Sequence, residues 1–252
     1  MKSQLFSVWE GVYDSFKEAD GDLDAFDSSL WLNKQKERIN IALEDYKQNN
    51  FVSKDYPLSI IVAMLLSFSK NSISILDFGG GMGLQYLDMI AKIPESENKI
   101  DYYVIDGKAS IDNRPDEINQ FKKLYFLSDV NNVNKKIDII HIGNTLQYIE
   151  DWKNLLLTLN NKFKPKYFVF SALLVGDIQT FVSHQIFYDK NIPVTMLNMN
   201  EFKNVLQELF FENIYQTYFQ VPILGYNELP NFALPENFRL KHSYNMIFRK
   251  YI

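Results

Sequence analysis

Residues 76–88 read "LDFGGGMGLQYLD": an apolar run carrying Asp77, four glycines within positions 79–83, and then a helical pattern. Glycine tolerates positive φ and lets another molecule touch the main chain, so this stretch predicts a strand, a tight loop and a helix with a ligand against the loop. Spacing narrows the ligand. A dinucleotide fingerprint needs G-x-G-x-x-G, but counting from Gly79 puts Leu84 at the third glycine, and counting from Gly81 puts Tyr86 there. A phosphate-binding P-loop needs Gly-Lys-Ser/Thr, which does not follow. What remains is Asp-x-Gly-x-Gly-x-Gly over Asp77, Gly79, Gly81 and Gly83, a pattern from which Gly80 drops out as incidental.

Beyond the loop, β-rich runs at 72–78, 99–106, 123–129, 136–143 and 164–174 alternate with helical patterns at 83–92, 112–121, 150–161 and 200–210. Such alternation predicts an α/β fold with a parallel sheet and helices on both faces. Two late runs, 213–224 and 240–252, have the spacing of a terminal antiparallel pair. Ahead of the first strand lie helical patterns at 31–48 and 57–68, and an acidic opening anchored by Trp9, Tyr13, Phe16 and Phe26. The expected organisation is an arm with helices over 1–70, packed on a domain over 71–252 that carries substrate-facing insertions at 175–200 and 225–240.

With 46% hydrophobic residues over 252 positions, the chain can bury one full core. Its net charge of −5, with Lys and Arg scattered, leaves no basic footprint for a nucleic acid. The most apolar stretch, "LSIIVAMLLSF", falls short of the roughly 20 residues that span a bilayer, and the opening lacks a continuous apolar run. A buried helix and a cytoplasmic protein without membrane insertion are expected. Absence of cysteine excludes disulfides, thiolate metal sites and Cys nucleophiles.

Asp77 with the alternate glycines resembles motif I of class I S-adenosylmethionine (SAM) dependent methyltransferases. That resemblance implies a Rossmann-like, doubly wound, mostly parallel seven-stranded sheet with an antiparallel terminal strand. It also implies SAM as cofactor, with S-adenosylhomocysteine (SAH) as product. Asp106 closes the second strand, 23 residues after Gly83, where the family keeps an acid that accepts both ribose hydroxyls. Ser128 and Asp129 match the position that contacts adenine, although Asp129 equally suits a helix N-cap. Gly143 completes the implied cofactor set. The stretch "IDIIHIGNTLQYIEDW" resembles motif IV and its following helix. Together with the opening "FSVWEGVYDSFKEA", the chain is similar to a methyltransferase family of about 250 residues found with bacterial lipopolysaccharide and capsule genes.

The resemblance implies methyl transfer to a sugar hydroxyl, for which a general base helps. His184, just after the fifth strand, is the expected base. His141 is a second catalytic candidate that equally reads as a core histidine, and His242 ranks below both. Asn144, Thr145 and Gln147 are expected to hold acceptor hydroxyls, and Tyr148, Tyr188 and Tyr226 to stack on a sugar face. No metal is expected, because Asn144 has no adjacent Asp. The expected acceptor is a nucleotide-activated sugar, with a GDP-linked heptose as the sharpest case and a homodimer allowed. An N-methyltransferase of an amino sugar or small molecule, or a non-catalytic binding protein, remain as alternatives.

Overall fold

The computed structural model describes residues 6–22, 24–48, 57–68, 72–93 and 95–251; the expected boundary at 70/71 lies outside them. In chain order the elements are β1 (Trp9–Tyr13), α1 (Phe16–Ala19), α2 (Ser29–Gln48), α3 (Pro57–Phe68), β2 (Ile73–Phe78), α4 (Leu84–Lys92), β3 (Ile100–Ile105) and α5 (Lys108–Asp112). They continue with β4 (Leu124–Leu127), β5 (Ile139–Gly143), α6 (Trp152–Phe163), β6 (Tyr167–Leu173), β7 (Val175–Gly176), β8 (Phe181–Phe187) and β9 (Lys190–Asn198). The last are α7 (Met199–Glu208), β10 (Phe211–Tyr218) and β11 (Tyr244–Lys250).

Seven strands form the main sheet in the order β10-β11-β6-β5-β2-β3-β4. The four junctions from β6 to β4 are parallel, and β11 runs antiparallel to both β6 and β10. This is the Rossmann-like arrangement with an antiparallel terminal strand that the sequence led us to expect. Successive strand side chains point to opposite faces, and the core divides accordingly. Ile75, Tyr102 and Ile139 pack under α2, α3 and α4, whereas their chain neighbours Leu76, Tyr103 and Ile140 pack under α6 and α7.

The expected helix over 112–121 does not form. Pro115 cannot donate a backbone hydrogen bond and disfavours helix in the residue before it. The chain instead makes the short α5 and a separate 3₁₀ turn over Asp116–Gln120.

A second sheet, β1-β8-β9-β7, stands beside the first. Here the acidic arm becomes a strand, with Trp9 opposite Gln185 and Glu10 opposite His184. Beneath it Trp9, Phe181, Met196, Leu229, Leu234 and Leu240 form a third core, so the arm and both expected insertions share one apolar cluster. No described helix is long and apolar enough to cross a membrane.

Candidate active site

A cavity of about 630 Å³ opens over the carboxyl ends of β2, β3, β4 and β5. Small-molecule sites run to roughly 300–1,000 Å³, and ligands of open α/β sheets sit at this edge. Its floor is the glycine loop. Gly79 and Gly81 line it at φ of 73° and 59°; a Cβ on Gly79 would run into Thr145, and one on Gly81 into the Gln35 side-chain oxygen. Gly83 lies off the cavity, at the start of α4, where a Cβ would press on Phe126.

Gly80, incidental by pattern, has a structural reason of its own: a Cβ there would lie 2.5 Å from Asp77 Oδ2. Asp77 is only 1% exposed and does not line the cavity. Its Oδ2 accepts from the Tyr102 hydroxyl and its Oδ1 from His141 Nδ1, both at 2.7 Å. His141 Nε2 in turn lies 3.0 Å from Ser171 Oγ. A Cβ on Gly143 would meet the His141 ring at 2.6 Å, so this buried network sits against both the glycine loop and the turn after β5. Neither Asp77 nor His141 reaches the cavity; the geometry gives both a supporting place under the site.

Asp106 does line it. The Gly81 N–H donates to one carboxylate oxygen at 2.7 Å and the Gly107 N–H to the other at 2.8 Å. Burial nevertheless raises its pKa above the ordinary value, against those two amides and the Ser110 hydroxyl, with Asp77 adding to the rise. Ser128 and Asp129 stand at the next strand end and also line the cavity. Asp129 at the same time caps the following 3₁₀ turn, accepting from the Asn131 N–H at 2.8 Å.

On the β5 side, Gly143, Asn144, Thr145 and Tyr148 line the wall. Asn144 holds φ of 50°, uncommon for a side-chain-bearing residue, and its Oδ1 accepts from Gln147 Nε2 at 2.7 Å. Thr145 donates to the Gly143 carbonyl at 2.9 Å. The Tyr148 hydroxyl donates to Gln185 Oε1 at 3.0 Å, and burial pushes its pKa up to about 12.

Three further expected site residues also stand off the cavity. His184 faces the arm: its Nε2 lies 3.1 Å from the Asp20 carbonyl, which only accepts, so Nε2 bears the proton and Nδ1 accepts from the Tyr13 hydroxyl at 3.4 Å. With both nitrogens so placed and the ring off the cavity, the geometry gives no support to a general base at this position. Tyr188 sits in the β8–β9 turn, accepting from Arg38 at 3.2 Å, and Tyr226 packs on Phe232.

The residues that sequence reasoning missed come from the arm, α2 and the end of β8. Phe26, an apolar anchor of the arm, lines the cavity with Trp31, Gln35, Arg38 and Phe187. Residues 31, 35 and 38 follow helical spacing, which puts Trp31, Gln35 and Arg38 in one stripe beside the buried Leu32, Ile39 and Leu43. That stripe was the available signal. Rings of Phe26, Tyr148, Phe187 and Trp31 meet with centroids 4.9–6.1 Å apart, forming an aromatic wall of the same cavity.

These features fit SAM. Gly79 and Gly81 bring side-chain-free main chain to the cavity at positive φ, as contact between a cofactor and the backbone requires, and the half-buried Asp106 carboxylate stands one strand away, suited to accept from vicinal hydroxyls. A search of curated proteins finds no match to the chain. Among solved structures, the fold resembles Burkholderia thailandensis 1,6-didemethyltoxoflavin-N1-methyltransferase, with TM-score 0.52, 14% identity, and 87% of this chain and 89% of that one covered. It also resembles Synechocystis magnesium protoporphyrin IX methyltransferase solved with SAM, with TM-score 0.53, 11% identity and coverage of 90% and 94%. A chain of a Haloferax volcanii complex containing the Trm112 methyltransferase activator aligns with TM-score 0.55, 14% identity and coverage of 91% and 97%. Likeness at such identity concerns the fold. The family assignment comes from a sequence model described as a methyltransferase domain, which matches residues 48–213, more than half of the chain. The chain therefore belongs to the methyltransferase-domain family, as a SAM-dependent methyltransferase.

Proposed function

We propose that this enzyme is an O-methyltransferase that methylates a hydroxyl of a nucleotide-activated sugar in bacterial capsule or surface-polysaccharide biosynthesis, with a GDP-linked heptose as the sharpest case. The observation that carries the reading is the continuity of the cavity. From the glycine loop it runs on past Asn144 and Thr145 to the aromatic wall of Phe26, Trp31, Tyr148 and Phe187. Amide and hydroxyl groups suit sugar hydroxyls, and ring faces suit the apolar side of a sugar.

When bound, SAM supplies a methyl group activated by its sulfonium. In this reading the loop backbone and Asp106 hold the nucleoside, Ser128 and Asp129 flank the adenine, and Asp77, His141, Tyr102 and Ser171 keep the loop in place. Asn144, its amide fixed by Gln147, orients the acceptor, and the aromatic wall excludes water. Alignment of nucleophile and methyl lowers the barrier by removing the entropy of encounter.

One observation favours the N-methyl reading. No described residue lining the cavity is a histidine, and of its lining carboxylates Asp106 and Asp129 follow β3 and β4 while Asp27 stands 4.0 Å from the position of a Gly107 Cβ. An amine with a free lone pair needs no base, whereas a sugar hydroxyl benefits from one. A mass-spectrometric screen of nucleotide sugars and amino sugars with SAM separates the two. Gain of one methylene mass, located on oxygen by fragmentation, supports the first reading. Gain on nitrogen replaces it with the second, and transfer to neither class overturns both.

A further inference from the structure

We propose that Arg38 binds an anionic group, a phosphate or a carboxylate, at the arm end of the cavity. Arg38 lines that cavity from α2, and its guanidinium is held from two sides. Nη2 donates to the Tyr188 hydroxyl at 3.2 Å, and Cζ stands 5.5 Å from the centre of the Trp31 ring. Among the described residues no carboxylate comes within ion-pair distance of it. Glu37, the acid next to it in sequence, pairs with Lys34 at 2.9 Å. A guanidinium carries five N–H donors in a planar fork that matches phosphate or carboxylate, and Tyr188 takes one of them. Placement by a ring face and a phenol reduces the conformational freedom that binding would otherwise remove.

Position separates Arg38 from the cofactor end. Gln35, about one helical turn earlier, is the α2 residue whose side chain stands over Gly81, and it donates to Ser110 Oγ at 3.2 Å. Arg38 instead joins Trp31 and Tyr188, where Phe187 closes the wall with ring centroids 4.9 Å from Trp31 and 5.0 Å from Tyr188. A cation beside ring faces suits an acceptor with an apolar ring surface and an attached anion. The assignment of that end to the acceptor rests on the methyltransferase reading above. Two molecules carry a suitable anion, namely the acceptor and the amino-acid part of the cofactor.

Calorimetric titrations of wild type and Arg38→Gln distinguish them. The SAH-saturated proteins are titrated with inorganic pyrophosphate. In parallel, both proteins without ligand are titrated with SAH and with 5′-methylthioadenosine, which lacks the amino-acid carboxylate. Expected is saturable pyrophosphate binding to wild type that weakens at least about ten-fold in Arg38→Gln, the scale of one lost charge-assisted contact, with SAH affinity unchanged. A loss for SAH but not for methylthioadenosine upholds the anion site and assigns it to the cofactor's carboxylate. Unchanged SAH affinity with no effect on pyrophosphate, or with no pyrophosphate binding to wild type, overturns the proposal, as does an equal loss for SAH and methylthioadenosine. Binding of SAH to wild type stands apart from all these outcomes, so a failure at Arg38 is distinguishable from a failure of the cofactor reading.

Discussion

Asp106 and Asp77 lie at the ends of neighbouring strands and differ in what their carboxylates meet. Burial raises the Asp106 pKa above its ordinary 3.8, while the carboxylate form is the one that accepts from two vicinal hydroxyls. SAH affinity should therefore be full above the raised value and fall as pH drops through it. In Asp106→Asn, affinity should be lower throughout and this acid limb should flatten; a limb of wild-type steepness in the variant would contradict the assignment. Asp77 acts through packing. Its contact with the position of a Gly80 Cβ means that Gly80→Ala should cost about 1–3 kcal/mol by overpacking. The cost should shrink when Asp77→Ser removes the obstructing oxygen, with a coupling of about 0.5–3 kcal/mol in a chemical-denaturation cycle. Additive costs would separate the two residues. Asp77 was visible in the sequence as part of a motif, but its burial was not, because its partners Tyr102 and His141, and the Ser171 that His141 meets in turn, come from three other strands.

The elements of the main sheet were legible because each carries its own pattern: apolar runs for β2, β3, β5 and β6, and a 3.6-residue period for α4, α6 and α7. The second sheet was not. β1 has only five residues and is interrupted at Gly11, whose φ is 77°, and its partner lies about 170 residues away. β8 reads "FVSHQIF", where Ser183, His184 and Gln185 mask the alternation and suggest a loop. His184 belongs to this element scale, since it ties β8 to the arm through Tyr13 and Asp20. His184→Ala should loosen the arm by about 1 kcal/mol, the net worth of a hydrogen bond or two. Hydrogen exchange should then rise in β1 and stay unchanged in β2, β5 and β6. Unchanged β1 protection would remove His184 from that role.

At the scale of the whole molecule, the chain steps outward from β2 to β3 and β4, then returns to place β5 on the other side of β2. The cavity lies over that reversal, where the crossover connections diverge and leave a crevice. One half of the site was thus readable in order along the chain, as loop, Asp106, Ser128 and Gly143. The other half is assembled from the arm, α2 and β8, and no local spacing announces that they meet. The central claim is that the glycine loop and Asp106 together hold SAM. Isothermal titration with SAH tests it most directly, comparing wild type with Asp106→Ala. Expected is saturable, one-to-one binding to wild type that is weakened at least about ten-fold in the variant. No binding to wild type at millimolar SAH, or equal affinity in the folded variant, would contradict it.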